Sequence, residues 1–186
     1  MKEYTQLDEA LKNPEKVYRL NLSDRHFEET PLSLAKFKNL QYLSLRNDYL
    51  TTIPAEVFSL QNLKVLDLSG NDFSTLPPGF NKLNSLEELY LDNENNLNLT
   101  QSLGVLSGLP NLKSLHLEND RITRIPKNIK NLTHLERLYL NNNRFQSVPI
   151  VIKGLKNLKY LEIDHNYIPP VNFSNQQEGF GFKIKF

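Results

Sequence analysis

Apolar residues return along the chain in one fixed pattern, LxxLxLxxNxL. One copy runs Leu63, Leu66, Leu68, Asn71, Phe73 and another Leu135, Leu138, Leu140, Asn143, Phe145. Copies begin at Val17, Leu40, Leu63, Leu86, Leu112, Leu135 and Leu158, which spaces them 23 residues apart except for the 26-residue step from Leu86 to Leu112. Inside the LxL core the period is two, so Leu43 and Leu45 point to one side of a short strand and the residues between and beside them to the other. The stretch that follows, such as IPKNIKNLTHL from Ile125 to Leu135, repeats its apolar residues at gaps of four, three and three, which predicts a helix. Proline stands near its start in Thr30-Pro31, Ile53-Pro54, Leu76-Pro77, Ile125-Pro126 and Val148-Pro149. There its fixed φ and missing N–H suit a first helical turn or an extended lead-in.

One such unit cannot bury its own leucines. Neighbouring units must stack, with parallel strands and right-handed connections, and each buried Leu or Ile then contributes roughly 1.5–3 kcal/mol. In these residues the chain resembles the leucine-rich repeat, in the 23-residue class of Ras-suppressor-like and many bacterial repeat proteins, from Val17 to Pro170. The resemblance implies an α/β fold: a right-handed leucine-rich-repeat solenoid, a curved horseshoe with a parallel concave sheet of about seven strands and helical or irregular convex segments. It also implies a non-catalytic protein-protein interaction module. The chain divides into an N-terminal helical cap over 1–16, repeats over 17–170 and a C-terminal cap strand over 171–186.

In the first cap Thr5 to Leu11 predicts a short helix, with Thr5 as N-cap and Asp8 at the reciprocal position. In the last, GFGFKIKF alternates Phe180, Phe182, Ile184 and Phe186 with Gly or Lys, which is strand spacing. The 26-residue unit holds Leu99, Leu103 and Leu106 at helical spacing after Asn98 or Thr100, which predicts a longer convex helix. At the asparagine of each unit a side-chain amide both donates to and accepts from the backbone. Asn71, Asn143 and Asn166 fit; Asp48 and Asp120 keep only the accepting half, Arg25 lies in an edge unit, and the fourth unit reads Glu94. These are departures the ladder tolerates, the other reading being a cation beside Asp120.

The outward strand positions form three columns. They run Arg19, Tyr42, Val65, Glu88, Ser114, Arg137, Tyr160; then Asn21, Ser44, Asp67, Tyr90, His116, Tyr139, Glu162; then Ser23, Arg46, Ser69, Asp92, Glu118, Asn141, Asp164. A parallel sheet left open on one face is available to a partner. The candidate binding residues are Glu88, Tyr90, Asp92, His116, Glu118, Arg137, Tyr139, Tyr160, Glu162 and Asp164: tyrosines offering contact area with a polar tip, beside carboxylates that favour a basic segment of a protein or peptide. The competing reading is an ordinary solvated strand surface, since tyrosine also favours strands.

Composition narrows the function classes. The 186 residues, 39% hydrophobic and 23% charged, carry 22 basic and 21 acidic side chains for a net charge of +1, so no overall field would recruit nucleic acid or an anionic membrane. With no cysteine there are no disulfides, thiolate metal sites or cysteine nucleophile. MKEYTQLDEALKNPEKVY lacks the apolar core of an export signal, no run approaches membrane-spanning length, and a cytoplasmic location is expected. Ser69-Gly70 and Leu103-Gly104 are not in a phosphate cradle, and His116 and Glu162, two strands apart at about 9–10 Å, are too far to share a zinc. No cofactor is expected. Asp92 and Glu118, on adjacent strands, are near enough for paired-carboxylate hydrolysis, but no pocket supports it and an open sheet excludes water poorly, so no enzyme activity is expected. The sequons at Asn21, Asn98, Asn131 and Asn172 largely restate the repeat's own Asn-Leu pair. Alternatives to a protein partner are a carbohydrate or cell-surface ligand, or a role as the recognition part of a larger multidomain protein.

Overall fold

The structure, a computed structural model, describes residues 1–26, 33–170 and 179–186. The proline at Thr30-Pro31 and the sequon at Asn172 lie outside them. Among the described residues nine parallel strands make one open sheet in chain order: β1 (Glu3–Tyr4), β2 (Arg19–Asn21), β3 (Tyr42–Ser44), β4 (Val65–Asp67), β5 (Glu88–Tyr90), β6 (Ser114–His116), β7 (Arg137–Tyr139), β8 (Tyr160–Glu162) and β9 (Lys183–Lys185). Seven belong to the repeat. The other two, β1 and β9, extend the sheet beyond the seven that the repeat predicts, pairing Tyr4 with Leu20 and Ile184 with Leu161. No helix among the described residues is long and apolar enough to cross a membrane.

Leu20, Leu43, Leu66, Leu89, Leu115, Leu138 and Leu161 stand opposite one another across consecutive strands, all fully buried. Phe37, Phe73, Phe80 and Phe145 are among the largest fully buried side chains and fill the space behind the leucines.

The convex side differs from the helix that the apolar spacing predicts. Four regular units carry five-residue 3₁₀ helices, Ala55–Ser59, Pro78–Lys82, Lys127–Asn131 and Ile150–Gly154. Each buries one residue at its centre and a leucine three positions on: Val57 and Leu60, Phe80 and Leu83, Ile129 and Leu132, Ile152 and Leu155. A gap of three returns to the same side in a helix of three residues per turn, so the tighter helix buries both. The prolines sit just before, Pro54, Pro77, Pro126 and Pro149 holding an extended ψ that leads into the turn. The 26-residue unit instead has room for an α-helix. Its α2 (Leu99–Leu106) buries Leu103 and Leu106, and Asn98 caps it by accepting from the Gln101 N–H at 3.1 Å. At the N-terminus α1 is Leu7–Ala10, and the expected Thr5 cap is not formed: Gln6 is the capping residue and makes no side-chain cap bond. The Thr5 carbonyl instead accepts from Arg25.

Between strand and convex side the asparagines tie successive units together. Asn71 accepts from the Asp48 and Leu50 N–H groups (3.1 and 3.0 Å) and donates to the carbonyls of Leu45 and Leu68 (2.8 and 2.6 Å), and Asn143 does the same with Asp120, Ile122, Leu117 and Leu140. The acidic rungs make half of this set. Asp48, Glu94 and Asp120 accept from Arg25, Asn71 and Glu94 respectively, while their second oxygens are buried with no hydrogen-bond partner. A carboxylate oxygen shut away from water without a donor disfavours the charged form. Burial first, and then the neighbouring acids, push Glu94 up to about 8 and Asp120 up to about 7, and burial also raises Asp48.

Just after the third outward column the backbone turns left-handed in every unit, at Asp24, Asn47, Gly70, Asn93, Asn119, Asn142 and His165, and in three units again two residues later, at His26, Tyr49 and Arg121. Asn, Asp and His are the side chains that tolerate this region best. At Gly70 a Cβ would also lie 2.0 Å from Asn47 Oδ1.

Candidate functional site

The in-register strands turn the second outward column into a pile of rings. Parallel neighbours lie about 4.8 Å apart, so planar side chains in one column of adjacent strands meet face to face. Tyr90 stacks on His116 with centroids 3.9 Å apart and planes 18° off parallel, and His116 stacks on Tyr139 at 4.1 Å and 6°. Tyr160 belongs to the first column and meets Tyr139 at a tilt, at 5.9 Å and 58°.

His116 is held at its edges as well as its faces. Its Nε2 lies 3.0 Å from Glu88 Oε1 and its Nδ1 3.5 Å from Glu118 Oε2, and only 7% of the residue is exposed. Burial alone would favour the neutral ring, but the bonds to Glu118 and Glu88 outweigh it and raise the imidazole above its ordinary value. The same bonds hold Glu88 and Glu118 below the usual carboxylate range. Glu88 also accepts from the Tyr90 hydroxyl at 2.9 Å, and burial together with that carboxylate raises the phenol. Asp92 is 8% exposed and accepts from the Glu118 N–H at 2.8 Å; burial, helped by the Glu118 charge, pushes it up to about 6.

All ten candidate residues line one stretch of sheet, but much of their charge is already engaged. Glu88 and Glu118 face His116. Glu162 accepts from Tyr160 at 2.8 Å and from Lys185, and these bonds more than offset the effect of its burial and lower its pKa. Asp164 pairs with His165 at 3.2 Å, and Arg137 is exposed with its Nε donating to Ser114 at 2.8 Å. Lys185 and Asn141, which donates to Glu118 at 2.8 Å, were not among the candidates. Asn141 stood in the third column as a signal; Lys185 stood on the polar side of the GFGFKIKF strand, but its pairing with Glu162 had no signal, because β9 lies outside the repeat that sets the register.

The N-terminal strands look different. Arg19 lies over the Tyr42 ring at 3.9 Å, and Ser23 and Ser44 share a hydrogen bond of 2.7 Å. Away from the sheet, a cleft of about 570 Å³ opens between 123–127 and 144–151, floored by Ile125 and Phe145 and rimmed by Arg124, Lys127 and Arg144, with Ile150 75% exposed beside it.

The family profile described as leucine rich repeat matches residues 38–97 and 110–168. Among solved structures, the chain is similar to the Toll–Spatzle complex of Drosophila (24% identity, TM-score 0.74, 90% of this chain and 23% of that one). It is also similar to internalin C2 of Listeria monocytogenes (25%, 0.61, 84% and 66%) and to the plant peptide hormone receptor RGFR1 in complex with RGF2 (25%, 0.54, 83% and 25%). The chain therefore spans about a quarter of the Toll and plant receptor chains and about two thirds of the internalin. No curated protein matches it closely enough to count as a relative.

Proposed function

The chain belongs to the leucine-rich-repeat family, and from that premise we propose that it is a non-catalytic module holding another protein or peptide against the half of its sheet that runs from β5 to β8. The observation that carries this is the ring pile Tyr90, His116, Tyr139 and Tyr160 on an otherwise open face. Stacking and edge bonds fix these side chains before any partner arrives, so little side-chain entropy is lost on binding. The plant receptor is similar in fold and was solved with RGF2, which supports a peptide or protein as occupant. The carboxylates Glu88, Asp92, Glu118, Glu162 and Asp164 surround the rings and keep spare lone pairs, so a basic segment fits this face best.

Two other readings fit less well. A sugar stacks on a free aromatic face, whereas Tyr90, His116 and Tyr139 cover one another's faces. For hydrolysis, Asp92 is tied to the Glu118 backbone and the face lies open to water, which works against both general acid–base geometry and charge stabilisation.

Capture with the full chain as bait tests the proposal. Tyr139→Ala with Tyr160→Ala should weaken the captured partner's affinity at least about tenfold, as loss of aromatic anchors does, with an unchanged circular dichroism spectrum. Ile150→Asp in the distant cleft should leave it unaltered. The reverse pattern would move the interface to the cleft, and selective retention on a glycan array would replace the protein partner by a carbohydrate.

A further inference from the structure

We propose that Asp92, His116 and Glu118 form a site for a divalent metal ion of the zinc type. His116 and Glu118 are two residues apart along one strand direction and so face the same way. Asp92 stands in Glu118's column one strand earlier. One ligand atom from each of the three lies within 4.8 Å of the others.

Each of these side chains is anchored through one polar atom and has a second to offer. His116 Nε2 is held by Glu88 at 3.0 Å, Glu118 Oε1 by Asn141 Nδ2 at 2.8 Å and Asp92 Oδ1 by the Glu118 N–H at 2.8 Å. The contacts of their remaining atoms are long: 3.5 Å from His116 Nδ1 to Glu118 Oε2, and 3.4 Å from Ser69 Oγ to Asp92 Oδ2. A ligating histidine characteristically donates its other ring N–H to a carboxylate, which fixes the tautomer. Glu88 occupies that place, and the Tyr90 and Tyr139 rings lock the imidazole plane.

Charge points the same way. Two carboxylates, one of them buried, lie together beside the imidazole, and a dication would balance their charge. One imidazole and two carboxylates suit zinc, whose bonds of about 2.0–2.2 Å need the ligand atoms to close by roughly an ångström of side-chain rotation. Calcium, which takes six to eight oxygens, is poorly served. The open sheet leaves the outward coordination position to water or to a group brought by a partner. None of this depends on the partner proposed above, because the metal alone is the probe.

The test titrates zinc chloride into the chelator-treated full chain by calorimetry, with the histidine ring nitrogens followed by NMR. One equivalent should bind with micromolar or tighter affinity and shift His116 alone among the four histidines. Asp92→Asn, Glu118→Gln and Glu88→Gln should each weaken uptake by about 10- to 100-fold, and His116→Gln should abolish it. Thermal melts of the metal-free variants separate loss of a ligand from loss of fold, and the isosteric Asp92→Asn and Glu118→Gln decide the matter should His116→Gln not fold. Absence of saturable binding well above micromolar zinc would overturn the site. So would one-equivalent binding that survives both Asp92→Asn and Glu118→Gln.

Discussion

The sheet from β2 to β4 and the sheet from β5 to β8 share one backbone and differ in what they show to solvent. Leu43 and Leu66 in the first half, and Leu115 and Leu138 in the second, are equally buried and equally in register. Outward, the first half offers Arg19 over Tyr42 and small hydroxyls, the second a ring pile set among carboxylates. The contrast teaches that in a stacked repeat the residues that make the fold and those that define the surface are separate sets, so one can change without the other.

The strongest attempt to break that equivalence is made in the core. Leu66→Ala and Leu115→Ala should each cost about 2–5 kcal/mol in denaturant unfolding, and by similar amounts. A much smaller cost at Leu115 would mean that the second half is held by its surface instead.

The rungs sharpen the comparison next. Asn71→Ala removes a side chain making four hydrogen bonds, and should cost about 2–4 kcal/mol. Glu94→Gln with Asp120→Asn should do the opposite, adding about 1–3 kcal/mol once the acids would have ionised. A carboxyl raised by folding holds a proton that the unfolded chain has already lost. Stability therefore falls as pH climbs from about 4 through the folded values of about 7 and 8. His116, also raised, adds a contribution that is complete below its ordinary value and is lost as pH passes the folded one. Hydrogen exchange should show β5 to β8 losing protection from pH 6 to 9 faster than β2 to β4, and the double substitution should narrow that gap. Equal loss in both halves would contradict the assignment of the protons to these rungs.

The smallest effect is expected at the exposed Lys185. Lys185→Ala should leave the melting temperature almost unchanged while the Glu162 titration moves up, because the lysine's hydrogen bond is among the causes lowering it. A large loss of stability would make β9 more than an edge strand.

How far the sequence could be read follows from how far the repeat reaches. Strand register and the buried leucines were legible because every unit restates them, and the three outward columns followed by counting. The left-handed row at Asp24, Asn47, Gly70, Asn93, Asn119, Asn142 and His165 was there as a run of turn-forming residues one place beyond the third column, and could have been read. The 3₁₀ helices could not be told from α, since five residues with apolar gaps of three and four fit either period. At the site, counting charges overstated the free carboxylates: which acids turn inward to His116, Tyr160 or Lys185 depends on side-chain direction and on β9, neither of which the repeat encodes.

The asparagine rungs also bear on how the chain would carry load. Each unit hangs on the one before through such a rung, so tension between the two ends runs through them in series. A series parts at a weak member: Asp48 and Glu94 each leave an oxygen unsatisfied at the joints before units two and four, and Asp120 does so where units four and five meet. Tyr90 and His116 face each other across the same joint. A partner gripping the rings from Tyr90 to Tyr160 would splint it, making the occupied molecule harder to pull apart than the empty one.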